Sequence, residues 1–377
     1  MNFRFLVSIS KFLGCLLVAF LFISCSRQQS GQSGQTVTIS NVDRRLDVKG
    51  QIVDAHGGCV QFFNGRFYLY GTAFGTNQAY DALNCPLVVY SSQDLQTWTF
   101  EGNLLKSPPN GVFYRPYVVF NPKTKKYVAW YNWYPKLWQG QEGVAVSDNP
   151  MGPFVIVNAK AHIVGTCPGD GSLFVDDDGT GYYVYTDIAK DYTVRVERLT
   201  SDFLDSSGAT SKVIATGAEA PLLFRRNNYY YVLSGPLCAA CPNGSEVHVF
   251  VSSASPLGPY FTNPSLNINR QENSTNQAAA ETASSPGENP QTMEKGRSAF
   301  ASQANNPIIH AQETWVAKIP VGADSMYLWT GDRWGSNPDG LIAHDFQYWV
   351  PLDFAADGEI LPLRVVSQWS ISWGMNQ

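Results

Sequence analysis

SLFVDDDGTGYYVYTD, running from Ser172 to Asp187, reads as an apolar strand, a tight acidic turn and a second strand rich in tyrosine. Asp-Gly between two β-rich runs signals a hairpin, because the turn needs residues that tolerate positive φ. The unit recurs. Its second strand returns as GRFYLYGT around Tyr68, KKYVAWYN around Tyr127, NNYYYVLSG around Tyr231 and DSMYLWTGD around Tyr327. Ahead of these lie CVQFFNG, YVVFNPKT, PLLFRRNN and TWVAKIPVGAD, each a strand running into a turn. Behind each, a further strand ends in a polar turn and an aromatic, as in VVYSSQDLQTWTFEG and VFVSSASPLGPYFT. A self-similar unit of three or four strands and about fifty to sixty residues is the mark of a propeller blade. Five of them predict an all-β chain folded as a five-bladed β-propeller. A pair of β-sandwiches is the competing architecture, but it does not require this self-similarity.

Between the fourth and fifth units lies the stretch 267–306, rich in Ser, Asn, Gln, Ala, Glu and Pro. It lacks the apolar side chains that offset ordering entropy, so it is expected to be a low-complexity insertion. Composition agrees with the blades. Of 377 residues 13% are aromatic and 32 are Gly, which suits short strands and tight turns and disfavours a helical bundle or coiled coil. Charged residues make up only 15%, with a net charge of −5 and no block of like charge, which argues against a nucleic-acid partner.

The N-terminus carries Arg4 and Lys11, then an apolar run from Phe12 to Ile23, then Ser24-Cys25-Ser26. A basic start, a short apolar core and small residues at its end describe a secretory signal peptide over 1–24. The run is about a dozen residues, short of the ~20 that cross a bilayer. Cys25 after Leu-Phe-Ile-Ser resembles a bacterial lipobox, whose cysteine is acylated and becomes the mature N-terminus. On this reading 25–40 is a tether and 41–377 the propeller. The lipid is then the only membrane contact, and the protein is an outer-membrane lipoprotein facing the periplasm. An ordinary cleaved signal peptide is the alternative. Setting Cys15 and Cys25 aside leaves Cys59, Cys85, Cys167, Cys238 and Cys241. The Cys238-x-x-Cys241 pair has no second such pair and no flanking histidines, which favours a loop disulfide or buried thiols over zinc.

In a propeller the innermost strand of each blade starts beside the central channel, so residues at equivalent starts converge. His56, Arg115 and Glu219 stand twelve residues before Tyr68, Tyr127 and Tyr231, and Asp170 thirteen before Tyr183. The fifth blade has a longer hairpin and offers Gln312, in HAQETW. Five polar residues, one per blade, are expected to ring one mouth of the channel, where convergent polar groups in a concavity mark a site.

Asp170, with Phe174 and the Asp176-Asp177-Asp178-Gly179 turn, is similar to the Asp-x-x-x-Phe-x-Asp-Asp-Asp-Gly strand of glycoside hydrolase family 43. Glu219-Ala220-Pro221, ahead of Tyr229-Tyr230-Tyr231, resembles the segment that carries the general acid of that family. The resemblance covers nearly all of the chain after its leader. It implies a five-bladed propeller that cleaves O-glycosyl bonds with inversion, Glu219 as general acid, and Asp170 as the group that tunes it and orients substrate. Ala55-His56-Gly57-Gly58, Arg115-Pro116, Gly331-Asp332-Arg333-Trp334 and Trp349-Val350-Pro351-Leu352 resemble the exo-β-1,3-galactanase-like branch. That branch lacks the usual first-blade Asp base, and His56 holds the place here. Gln312 matches a glutamine proposed there to act through its imidic tautomer, as base or water-positioning group. Asp54, two residues before His56, is an alternative base. The resemblance also brings His56, Tyr114, Arg115, Trp133, Asp332, Arg333 and Trp334 to the substrate. Two positions depart from the branch. Tyr114 stands where it has Glu before Arg-Pro, and Thr72 where it has Glu after the Tyr-Gly strand.

Inverting hydrolysis needs a protonated carboxyl on the leaving oxygen and a group across the ring that positions water, the two usually roughly 6.5–9.5 Å apart when both are carboxyls. Glu219 is therefore expected to hold its proton near neutral pH through burial or a carboxylate neighbour. Trp130, Trp133, Tyr134, Trp138 and Trp334 are candidates to stack on pyranose faces, although most propeller aromatics are core. The expected substrate is a polysaccharide or oligosaccharide, β-1,3-galactan or arabinogalactan first. An α-L-arabinofuranosidase or β-xylosidase-like activity, or a catalytically weak glycan-binding propeller, are the alternatives. With no dinucleotide-type glycine run and no Walker loop, no cofactor is implied. Some members of the family hold calcium on the axis, and here His310 or His344 would border it.

Overall fold

The tyrosines that define the repeat, Tyr68, Tyr127, Tyr183, Tyr231 and Tyr327, are all buried, each on the second strand of a blade. A computed structural model describes residues 35–237, 245–262, 267–270, 308–322 and 324–373. After β1 (Gln35–Ser40) come five antiparallel sheets in chain order. The first comprises β2 (His56–Phe63), β3 (Arg66–Thr72), β4 (Leu87–Ser92) and β5 (Trp98–Asn103). The second comprises β6 (Val112–Asn121), β7 (Lys126–Tyr134), β8 (Gln141–Ser147) and β9 (Val155–Asn158). The third comprises β10 (Pro168–Val175), β11 (Gly181–Asp187), β12 (Thr193–Leu199) and β13 (Ser206–Thr210). The fourth has β14 (Ala218–Arg226), β15 (Tyr229–Pro236) and β16 (His248–Ser252), extended by a bridge from Val251 to Phe261. The fifth has β17 (Gln312–Val321), β18 (Asp324–Arg333) and β19 (Phe346–Pro351). Neighbouring innermost strands pack in the order β2, β6, β10, β14, β17 and back to β2, which closes a five-bladed propeller.

The repeated aromatics explain how the blades stay together. A β-sheet face must be covered, and a large ring covers it while its polar tip reaches a partner. Tyr70 Oη donates to Pro150 O on the second blade at 2.7 Å, Trp130 Nε1 to Phe203 O on the third at 2.8 Å, and Tyr231 Oη to Gly358 O beyond the fifth at 2.8 Å. Each ring is a wedge bonded to the next blade. Tight turns sit where the sequence placed them: Asn64-Gly65 between β2 and β3 has φ of 50° and 78°, the left-handed pair that a two-residue hairpin requires.

Two boundaries differ from the sequence reading. The tether expected over 25–40 ends before Gln35, because 35–40 forms β1 and pairs with β20 (Gln368–Trp373) in antiparallel register. Val37 and Ile39 point to the core, and Asn41 ties the junction by donating to Trp349 O at 3.0 Å and accepting from Trp349 N at 2.9 Å. Of the stretch 267–306 expected to be an insertion, residues 267–270 instead pack with the fold. Ile268 and Asn269 are buried, and Asn269 Oδ1 accepts from Ile309 N at 2.9 Å across the gap. Residues 271–307 lie outside the described residues, as do the expected signal peptide over 1–24, Cys25 and the Cys238/Cys241 pair. Cys59, Cys85 and Cys167 are free thiols, the first two buried.

Candidate active site

All five innermost strands carry a β-bulge at the same rung. The register slips between His56 and Cys59, Tyr114 and Tyr117, Pro168 and Gly171, Glu219 and Leu222, and Glu313 and Trp315. A bulge sets two residues against one and re-aims a side chain. Repeated five times around an axis, it aims polar groups at one mouth. The ladder also corrects the counting. His56, Tyr114, Pro168, Glu219 and Glu313 are the pairs just before the bulge, opposite Thr72, Asn132, Asp187, Gly235 and Gly331, and Gln312, opposite Asp332, lies one step before Glu313. Arg115 lies one step further in and Asp170 two. Arg115 and Ala220 adopt φ of 50° and 54°, left-handed values that cost a non-glycine residue of order 1–2 kcal/mol. Such strain persists where the surroundings hold it, and it clusters at functional sites.

Glu219 is half-buried, and its Oε1 accepts a hydrogen bond from Gln312 Nε2 at 3.1 Å. Trp334 Nε1 donates to Gln312 Oε1 at 2.9 Å. The indole thereby fixes which end of the amide faces Glu219: the NH₂ end. Asp170 Oδ2 accepts from Arg115 Nη2 at 2.8 Å and from Ala220 N, the peptide following Glu219, at 3.2 Å. Arg115 is buried, and its other arm donates to Glu313 O at 3.0 Å. Blades two to five thus meet through one guanidinium, two carboxyls and an amide.

The structure buries His56 and Asp332, two of the residues expected at the substrate. The His56 side chain has no solvent exposure; it lies under Trp334 and Phe74, with ring centroids 5.5 and 6.0 Å away. Its Nδ1 is 3.3 Å from Asp332 Oδ1 and its Nε2 3.7 Å from Asp54 Oδ1. Burial alone would lower the pKa of this imidazole. The hydrogen bond and charge of Asp332, with Asp54 and Asp345, outweigh it and raise the pKa to about 9. His56 thus joins the first and fifth blades through Asp332, from a position closed to solvent. Asp332 is buried too and caps Gly57 N. Asp54 keeps 15% exposure, but its oxygens accept from Phe74 N at 3.0 Å and Gly75 N at 2.7 Å, so it also anchors the loop after β3.

The remaining expected residues fall at the rim. Tyr114 is half-buried and donates to Tyr80 O at 3.0 Å, and Thr72 is buried and donates to Phe113 O at 3.2 Å, so neither position supplies a carboxylate or its substitute to the mouth. Trp133 is held against the preceding loop by donation to Asn110 O at 3.1 Å. Arg333 is half-buried beside Trp334. His310 is buried near Ser245, and His344 pairs with Asp339 at 2.7 Å, so the two histidines considered for an axial ion are engaged separately. Among the described residues, no three His, Cys, Asp or Glu side chains are grouped to hold a metal ion.

Sequence reasoning missed Glu313. It is 1% exposed, both carboxyl oxygens lack a hydrogen-bond partner among the described residues, and they reach within 3.1–3.2 Å of where Gly235, the rung partner of Glu219, would carry a Cβ. Burial chiefly, with the charges of Glu219 and Asp170, raises its pKa to about 8 despite Arg115. Glu142, also 1% exposed and bonded to Asn132 Nδ2 at 3.1 Å, is likewise raised by burial to about 8. Both are neutral acids at pH 7 in the folded protein and carboxylates when unfolded. Their contribution to stability is complete below the unfolded value near 4.5 and is lost as pH rises through about 8. Glu313→Gln, which does not titrate, should therefore gain on the parent protein as pH rises from 5 to 8, by several degrees in Tm. A difference in Tm that stays flat with pH would show that Glu313 is not held neutral.

Comparison with known proteins places this geometry. The chain is 24% identical over 302 residues to an arabinoxylan arabinofuranohydrolase of Bacillus subtilis (strain 168), covering 65% of this chain and 56% of that protein. It is 30% identical over 147 residues to another of Paenibacillus polymyxa, covering 31% and 22%. It thus spans just over half of the first curated relative and under a quarter of the second. Among solved structures it resembles a family 43 β-1,3-galactosidase, with TM-score 0.68, 24% identity and coverage of 89% of this chain and 64% of that one. It also resembles the exo-β-1,3-galactanase of Phanerochaete chrysosporium in complex with β-1,3-galactotriose, with TM-score 0.65, 23% identity and coverage of 89% and 68%. At such identity these structures speak for the fold. Residues 63–315 match the model for glycosyl hydrolases family 43, and the chain belongs to that family.

Proposed function

We propose that the protein is an inverting, exo-acting glycoside hydrolase with Glu219 as general acid, acting on β-1,3-linked galactan or the backbone of arabinogalactan. The observation that carries this is the Trp334–Gln312–Glu219 chain of hydrogen bonds beside Asp170, which orients one partly exposed carboxyl at the mouth. With Oε1 of Glu219 occupied as an acceptor, the proton for the leaving oxygen sits on Oε2. Asp170, held by Arg115 and Ala220 N, orients the sugar at its side. Gln312 donates to the acid and is a neutral amide, so it steers Glu219 more readily than it removes a proton. Asp54, on the first blade, is then the carboxylate that positions water. Its oxygens accept from the Phe74 and Gly75 backbone N–H groups, which fix the direction in which it faces the mouth. The lipid carried by Cys25 would hold this site at the periplasmic face of an outer membrane.

A second reading, release of α-L-arabinofuranose, is favoured by the likeness to arabinoxylan arabinofuranohydrolases and by the absence of galactanase-type carboxylates at Tyr114 and Thr72. Proton NMR of freshly formed products separates the two. Galactan should yield α-galactose first. Release of β-arabinose from arabinoxylan alone would favour the second reading. Retained configuration, or glycan binding with no product, would overturn both.

A further inference from the structure

Among the described residues Trp138 is the one tryptophan whose ring is largely exposed. It retains 53% of its surface at φ 63°, a left-handed value that is a genuine outlier for so bulky a residue. Its loop is nevertheless pinned. Gln139 N donates to Lys136 O at 2.9 Å, and Cys167 Sγ lies 3.5 Å from Trp138 O. Gly140 passes so close to the third blade that a Cβ would lie 1.9 Å from Pro168 O. An indole held out of the core by a strained, anchored backbone is presented to something.

Its position says what. The edge of Tyr134 meets the Trp138 ring at 6.4 Å and 76°. Tyr134 is buried with its hydroxyl in the field of Asp170, so Trp138 stands one ring further out from the candidate catalytic carboxyls. On its other side Tyr134 packs against Tyr114 at 5.6 Å, Tyr114 donates to Tyr80 O, and Tyr80 meets Trp334 at 5.4 Å. An aromatic rim therefore runs from the Gln312 clamp on the fifth blade to Trp138 at the seam of the second and third. Sugars in a pyranose chain offer C–H faces that suit the electron-rich face of an indole, and they offer little charge to read.

We propose that Trp138 is a stacking platform for the second or third pyranose of the glycan, on the leaving-group side of the bond cleaved at Glu219. This rests on the hydrolase reading above and extends it from the reacting sugar to the rest of the chain. The platform accounts for recognition of a polymer by a site that lacks the two carboxylates at positions 72 and 114.

The test compares β-1,3-galactotriose with 4-nitrophenyl β-D-galactopyranoside, which has no second pyranose. Trp138→Ala should raise KM for the triose about tenfold and change it much less for the aryl galactoside, with Trp138→Phe between the parent protein and Trp138→Ala. Calorimetric binding of the triose to Glu219→Gln protein, with and without Trp138→Ala, keeps the platform separable from catalysis. Loss of triose binding on Trp138→Ala with no hydrolysis by the parent protein would leave the platform standing and the hydrolase reading fallen. Equal triose KM and equal binding in the two proteins, no binding by either, or a loss confined to xylo-oligosaccharides would overturn the platform for galactan.

Discussion

Glu219→Gln lowers kcat/KM by ~10²–10⁴ on a β-linked galactan oligosaccharide and by much less on an aryl glycoside with an acidic leaving group; this is the expected result if Glu219 is the general acid. The substitution keeps shape and volume. Its carbonyl oxygen still accepts from Gln312 Nε2, so the clamp from Trp334 stays in place and only the proton is removed. A sugar alkoxide leaves poorly without that proton, whereas a nitrophenolate scarcely needs it. The ratio of the two losses therefore reports proton transfer itself, because damage to binding or folding depresses both substrates alike. Equal losses, or no loss on the glycan, would overturn the assignment. An unchanged Tm for the variant completes the measurement.

The fold was legible because its information is local and repeated. Each blade carries its own hairpin turn and its own buried tyrosine, and five copies make the pattern redundant. The same periodicity set Asp170 and Glu219 at the mouth, and the longer hairpin of the fifth blade offered Gln312. The failures share one physical cause: they depend on partners distant in the chain. Nothing near Thr36-Val37-Thr38-Ile39 announces that its strand partner is Ser370, and four alternating residues after a polar leader read as tether. The family resemblance brought His56 and Asp332 to the substrate. Burial under Trp334 turned them into a salt link between the first and last blades. Glu313 follows Gln312 in the chain and, by simple alternation, reads as the outward face of a strand. In a closed ring of blades neither face of the innermost strand is outward, and the bulge at Glu313 and Thr314 rotates the alternation again. Only the presence of Gly235 opposite Glu219 hinted at room for a side chain, and that hint needs the register to be read.

Arg115→Ala should produce the other large effect, and for a different reason. The guanidinium is buried, and burial works against its charge. Asp170, with Tyr117, more than offsets this and keeps it protonated. It is the cation that pairs with Asp170, and its charge lowers the pKa of Glu313. Removing it leaves Asp170 without its ion pair and the Glu313 carbonyl without a donor. Deleting one partner of a buried pair costs about 3–5 kcal/mol, and the partial exposure of Asp170 places this site near the lower end. Activity should fall on galactan and aryl glycoside together, because Asp170 is displaced whatever the leaving group, in contrast with the selective loss at Glu219. Arg115→Lys keeps the charge but not the fork that bridges Asp170 and Glu313 O, so it should fall between the parent protein and Arg115→Ala. Arg115→Gly separates backbone from charge. At φ 50° glycine relieves strain, so this variant should be more stable than Arg115→Ala while being as inactive. Urea unfolding at pH 7 measures the stabilities, and parallel kinetics on the two substrates measure the chemistry. Parent-like stability in Arg115→Ala, or a loss confined to the galactan, would show that Asp170 and Glu313 do not depend on this cation.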